Sequence, residues 1–294
     1  LERRRLSNQS GYKKQKFSLI SLSLPRQTTH NQKQEDEQIY LLFEILQSQN
    51  RIFFMILEAD EFKGPYHIIK NEFRPFRILV GDFDIYVSQK QNAYLYFSNM
   101  KDGVIACKLS DDYLDVVGDY KRYYENLDLP FSQEGIAIFE YRNELFIITS
   151  GMTGYIPNQS RIARLSSPLG ELEDLGDLCV SNETSTTFHS QISSVFKDQK
   201  NRNIHRSCQS LNTEINLTPK KSKRMIRACA STNNKNYKSN LFELATLGFL
   251  SFKRKKVNTS ISDYGWLPLR FDKNRPFLRC YDKWSIADFE SKEE

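Results

Sequence analysis

EGIAIFEYRNELFIITS, residues 134–150, decides how this chain is read. Two short runs rich in Ile and Phe, Ile136–Phe139 and Glu144–Thr149, flank the polar Tyr141-Arg-Asn, which is the signature of a hairpin. The run opens on a polar residue, Glu134. The same local pattern starts at Asp82 in DFDIYVSQKQNAYLYF and at Gln191 in QISSVFKDQKN. These starts lie 52 and 57 residues apart, the period of a β-propeller blade rather than of a helical repeat. Propellers gather the inner strands of their blades around a central channel. Asp82, Glu134 and Gln191 are therefore candidates to meet at one site.

Outward from that stretch the reading stays β. Ala93–Phe97 and Val104–Leu109 are strand-like, DDYLD (111–115) is a polar turn, and Ser160–Leu165 and Glu171–Leu175 follow. GMTGYIPN (151–158) is a loop, because Gly, Pro and Asn supply turn chemistry that strands avoid. Residues 39–58 hold two apolar runs around a polar turn, either a hairpin or a short helix followed by a strand. The third repeat stops after KDQKN. Residues 202–261 are basic, rich in Asn, Ser and Lys, and without alternation, so they read as a low-order insertion or a stretch foreign to the fold. Strand character resumes at DYGWLPLRFD (263–272). The expected organisation is a disordered basic lead-in at 1–38, propeller blades at 39–201, the basic segment at 202–261, and a closing strand and tail at 262–294.

Composition supports this division. A chain of 294 residues can bury a sizeable core. The 20 Phe and 15 Tyr favour strands and stacking surfaces. The net charge of +6 conceals +7 in residues 1–33 and +12 in residues 200–256, which leaves the repeat-bearing body acidic at −13. Five cysteines with no CxxC spacing argue against a zinc site and give no complete disulfide framework. KKQKFSLISLSLP (13–25) has a basic start, but serines interrupt its apolar run and no clear signal-peptide cleavage site follows. No apolar run is long enough to span a membrane as a helix.

The three polar starts suit one chemistry. Inverting glycoside hydrolysis needs an acid to protonate the leaving oxygen and a base to activate water from the opposite face, typically about 6.5–9.5 Å away. A further carboxylate nearby raises the acid's pKa by like-charge repulsion. Taken singly, each residue also has a plain structural role. Glu134 can be a solvated strand-edge residue, Asp82 a turn carboxylate capping its own backbone, and Gln191 a structural amide.

The stretch EGIAIFEYRNELFIITSGMTGYIPNQSRIARLSSPLGELEDLG resembles the acid-bearing blade of glycoside hydrolase family 43, the five-bladed β-propeller glycosidases. The likeness is closest to the exo-β-1,3-galactanase subgroup, with Glu134, Ser150, Gly151, Thr153, Gly154, Pro157 and Asn158 matching its motif and Tyr155 where Trp is usual. GPYHI (64–68) with GDFDIYV, LSDDYLDVVG (109–118), TTFHSQISSVF (186–196) and DYGWLPLRFD with YDKWSIADF agree in order. The resemblance implies an all-β, five-bladed propeller and a secreted, monomeric glycosidase. Its substrate would be plant-type polysaccharide, either β-1,3-galactan or arabinose- or xylose-containing chains. Glu134 would be the general acid, Asp82 the carboxylate that orients or tunes it, and Gln191 a base or water positioner. Thr153, Tyr155, Asn158 and His189 would line the pocket. No cofactor is implied, although calcium occurs in the channel of some members.

The chain also departs from the pattern. The first blade is not recognisable in residues 1–38, and a late blade lacks its Asp-Arg-Trp-type motif between 202 and 262. The subgroup's pocket Glu falls at Asn99 or Met100, and its Ala-Pro after the acid is Gly135-Ile136. An incomplete propeller, from gene-model errors or decay of a paralogue, is the expectation, with a catalytically inactive carbohydrate-binding propeller as the alternative function. The basic runs PKKSKRMIR (219–227) and FKRKK (252–256) lack interleaved aromatics, so specific nucleic-acid binding is not expected. His189 adjoins Ser190, but no Ser/His/Asp spacing supports a hydrolase triad.

Overall fold

A computed structural model of the chain describes residues 20–25, 37–48, 51–61, 63–99, 102–125, 132–152, 158–181, 186–197, 203–210, 263–285 and 288. Among these residues there is no α-helix, and strands run antiparallel in sheets that follow the order of the chain. The first sheet holds β1 (Ile20–Pro25), β2 (Glu37–Ser48), β3 (Arg51–Ala59) and β4 (His67–Phe73). The second holds β5 (Phe83–Val87), β6 (Ala93–Asn99), β7 (Gly103–Leu109) and β8 (Val116–Tyr123). The third holds β9 (Gln133–Tyr141), β10 (Glu144–Gly151), β11 (Ser160–Leu165) and β12 (Leu172–Asp177). The fourth holds β13 (Ser190–Lys197), β14 (Asn203–Ser210) and β15 (Asp263–Leu267), and β16 (Arg270–Asp272) pairs with β17 (Arg275–Phe277).

The sheets stack face to face because their middle strands are apolar on both sides. In β6 and β7, Leu95, Phe97, Ile105 and Cys107 pack with Phe54, Ile56 and Phe73 of the first sheet. Their alternate residues Tyr96, Val104 and Ala106 pack with Ile136, Ile138, Leu145 and Ile147 of the third. The opposite face of the third sheet, with Ala137, Phe139, Phe146 and Ile148, meets Ile192 and Val195 of the fourth. Side chains alternate faces along a strand, so strands covered on both sides read as continuous apolar runs. Phe54 is fully buried, with ring centroids 4.8 Å from Phe83 and 6.1 Å from Phe97.

Two segments differ from the sequence expectation. Residues 20–25 fall in the expected lead-in but form β1, paired with β2 from Ile20–Leu42 to Pro25–Glu37. The serines of ISLSLP do not interrupt an apolar run; they supply the two-residue period of a strand. Residues 203–210 fall in the expected low-order segment but form β14, so the third repeat continues into a second strand and, through β15, a third. The basic runs at 219–227 and 252–256 lie outside the described residues. Residues 39–58 form the β2–β3 hairpin rather than a helix and strand. The tail lies against the third sheet: Val180 N donates to Leu278 O at 2.8 Å, and Phe271 stacks on Tyr141 at 3.6 Å.

Candidate functional site

The three polar starts open three successive sheets. Asp82 immediately precedes β5, Glu134 is the second residue of β9, and Gln191 is the second residue of β13. The structure brings them together across the gaps between sheets. Gln191 Nε2 lies 3.3 Å from Glu134 Oε1 and donates to Ser150 Oγ at 2.8 Å. The Gly135 N–H donates to Asp82 Oδ2 at 3.1 Å, so Asp82 holds the backbone one residue beyond Glu134. Asp82 is itself anchored, its carbonyl accepting Ser98 N at 2.8 Å. All three side chains are half-buried, shielded but open to solvent.

A β-bulge shapes the centre of this cluster. Ile148 faces Ala137 and Ser150 faces Glu134, so Gly135 and Ile136 together oppose Thr149. Gly135 has φ +60°, the left-handed conformation expected of the first residue in a glycine bulge. A Cβ at this position would sit 2.7 Å from Ser150 Oγ and 2.8 Å from Gln191 Nε2. Glycine therefore does two things here. It allows the bulge that re-aims Glu134, and it leaves room for the Gln191 amide to lie over the backbone. The replacement of Ala-Pro by Gly135-Ile136 is in this way built into the cluster's geometry.

A seam of side chains joins β5 to β9. Asp82, just before β5, and Asp84 and Tyr86 within it recur at every second residue and meet Gly135 N, Ile138 N and Glu140 Oε2 in turn, the last two at 2.8 and 2.6 Å. β9 is the edge strand of its sheet, and edge N–H groups left unpaired are costly when shielded from water. The two carboxylates satisfy them. Asp84 keeps some contact with solvent, but the protein packed around it lifts its pKa to about 7, against the opposing pull of the Ile138 and Ile85 N–H donors.

No family model matches the sequence, and no curated protein does. Solved structures do match in fold. A family 43 β-1,3-galactosidase superposes with TM-score 0.65 at 21% identity, covering 86% of this chain and 44% of that one. A second, bound to galactodeoxynojirimycin, gives TM-score 0.60 at 20% identity over 85% of this chain and 73% of the other. The fold is that of the family 43 glycoside hydrolases. The exo-β-1,3-galactanase of Phanerochaete chrysosporium, solved with galactose, gives TM-score 0.57 at 17% identity over 82% of this chain and 45% of that one. The chain thus spans less than half the length of two of these three structures.

Within this family 43 fold, the other expected pocket residues fall in three places. Thr153 and Tyr155 lie outside the described residues. Asn158 closes their loop: its Oδ1 accepts Gly151 N and its Nδ2 donates to Gly151 O, both at 2.8 Å. His189 is half-buried two residues before Gln191, and burial lowers its pKa. It ends a left-handed turn in which Thr187, Phe188 and His189 all have φ between 50° and 62°. Left-handed backbone is costly for a β-branched residue, and Thr187 is held there by its hydroxyl. That hydroxyl accepts Ser160 N at 2.6 Å and donates to Asn158 O at 2.9 Å, tying the loop base to the start of β13.

Sequence reasoning left Asp84, Gly135, Ser150 and Thr187 without a role. Asp84 carried a usable signal, an acid at alternate spacing from Asp82 inside a strand. Thr187 and Ser150 carried none beyond the motif match, because their partners are distant in the chain. Among the described residues no cluster of three or more His, Cys, Asp or Glu side chains is arranged to hold a metal. Among the described residues no helix is long and apolar enough to cross a membrane.

Proposed function

We propose that this chain is an inverting glycoside hydrolase acting on plant-type polysaccharide, either β-1,3-galactan or arabinose- or xylose-containing chains. Its scaffold is read as an incomplete five-bladed propeller, and the protein as a secreted monomer with no required cofactor. One observation carries the reading: three residues from three sheets meet at one point, with Asp82 on the backbone beside Glu134 and the Glu134 carboxyl 3.3 Å from the Gln191 amide nitrogen, a contact Glu134 must leave to open the about 6.5–9.5 Å that sugar and attacking water require. Glu134 gives its proton to the glycosidic oxygen as the bond from that oxygen to the anomeric carbon breaks. Water attacks the anomeric carbon from the opposite face, inverting it. The Gln191 carbonyl positions that water, and its surplus proton leaves to bulk solvent or through the imidic tautomer of the amide.

A non-catalytic, carbohydrate-binding role is the second reading, and Asn99 favours it. Asn99 stands at one of the two positions where the subgroup carries a pocket Glu. Here its Nδ2 donates to Leu79 O at 2.7 Å and its Oδ1 accepts Asp102 N at 3.0 Å, so it serves a turn. Sugar release from β-1,3-galactan and arabinoxylan oligosaccharides, compared between the native chain and Glu134→Gln, separates the readings. Loss of release in the variant supports the acid assignment. Release that is unaffected by Glu134→Gln refutes it, and binding without release in the native chain supports the second reading.

A further inference from the structure

The amide of Gln191 is useful only in one orientation, because its carbonyl accepts a hydrogen from water and its nitrogen cannot. Resting on the functional reading above, we propose that Ser150 is the positioning residue that fixes this orientation. The Ser150 hydroxyl is buried, with 3% of the residue exposed, and has two partners. Its hydrogen goes to the Glu134 backbone carbonyl at 3.3 Å, and its lone pair accepts from Gln191 Nε2 at 2.8 Å. A hydroxyl whose hydrogen is committed to a carbonyl can only accept at its other contact. Gln191 must therefore turn its nitrogen toward Ser150 and its Oε1 away.

The Glu134 carboxyl cannot make this choice in the state that matters. Ionised, it accepts from the amide nitrogen. Protonated, as a general acid must be, it can donate to the amide oxygen equally well, and the 3.3 Å contact would tolerate either arrangement. Among the described residues, Ser150 is the contact that discriminates in both states. Gly135 makes the arrangement sterically possible, because any Cβ there would fall 2.7 Å from the serine oxygen and 2.9 Å from Gln191 Cγ.

Ser150→Ala removes only one oxygen from a strand interior, so the sheet is retained while the arbiter is lost. In the native chain the Gln191 side-chain amide pair, assigned in a nitrogen-15 spectrum by its disappearance in Gln191→Leu, exchanges slowly with water. In Ser150→Ala that exchange accelerates about tenfold, the scale of one lost hydrogen bond. In parallel, kcat falls about tenfold with KM unchanged. In a Gln191→Glu background the serine substitution has no further effect, because a carboxylate has two equivalent oxygens and no orientation to lose. Amide exchange unchanged by Ser150→Ala overturns the inference, as does an equal loss in both backgrounds. If the native chain releases no sugar, the functional reading fails by itself, and amide exchange still decides the role of Ser150.

Discussion

Gly135→Ala tests whether the bulge is the device that assembles the site. Two costs apply. Alanine must adopt φ +60°, a left-handed conformation that costs an L-residue about 1–2 kcal/mol more than glycine. Its Cβ must also displace Ser150 Oγ and the Gln191 amide from 2.7 and 2.8 Å, breaking their hydrogen bond for about 0.5–1.5 kcal/mol more. The sum is about 1.5–3.5 kcal/mol. Gly118→Ala separates the two terms, because Gly118 has φ +70° with nothing within 4 Å of the position its Cβ would take. It should lose only the first, about 1–2 kcal/mol. Urea unfolding of both variants against the native chain measures the difference. Glycosidase activity should be lost in Gly135→Ala and kept in Gly118→Ala. Equal destabilisation by the two, with activity intact in both, would refute the claim that Gly135 makes room for Gln191.

Two further outcomes follow from the packing around the site. The folded chain holds a proton on Asp84 up to about pH 7, whereas the unfolded chain releases it near about pH 4. Stability attributable to Asp84 is therefore complete below about pH 4 and declines as pH rises to about 7. Asp84→Asn should flatten that segment of a plot of unfolding free energy against pH; a slope identical to the native chain's would show that Asp84 does not titrate late. Thr187→Val keeps the shape of the side chain but strands Ser160 N and Asn158 O, and should lower stability by about 1–3 kcal/mol in denaturant unfolding. Thr187→Ser keeps the hydroxyl and should lose much less, so equal losses would remove the hydroxyl from the account.

How much of this was legible in the sequence depends on which periodicity carried it. The runs at 93–97, 104–109 and 136–139 are apolar throughout except for Lys108, because sheets cover both faces, and short apolar runs between turns are read as strands with little ambiguity. The spacing of Asp82, Glu134 and Gln191 placed each at the start of the first strand of a sheet, where the structure has them. β14 was not legible. NIHRSCQS has no sustained alternation, and its strand state comes from backbone pairing to β13 on one side and β15 on the other, a tertiary effect that overrides local propensity. β1 differs for the opposite reason: ISLSLP carries a two-residue alternation, but its serines equally resemble breaks in an apolar run, and only the pairing with β2 decides between the two. Gly135 looked like a loss from the family pattern, since a sequence shows the residue and not the φ it must adopt.

The seam between β5 and β9 bears on how such a site survives divergence. Asp82 and Asp84 hold the edge N–H groups of β9, and Tyr86 reaches Glu140 of the same strand. Substituting Asp82 would remove a candidate tuner of the acid and also leave the shielded N–H of Gly135 without its partner. Selection for folding alone would therefore retain Asp82. Glu134 and Gln191 meet each other, and Gln191 also donates to the buried Ser150 hydroxyl, so these side chains too contribute to the packing at this point. Asp82 carries weight in folding whatever the chemistry of the site, and Glu134→Gln is therefore the substitution that tests the chemistry.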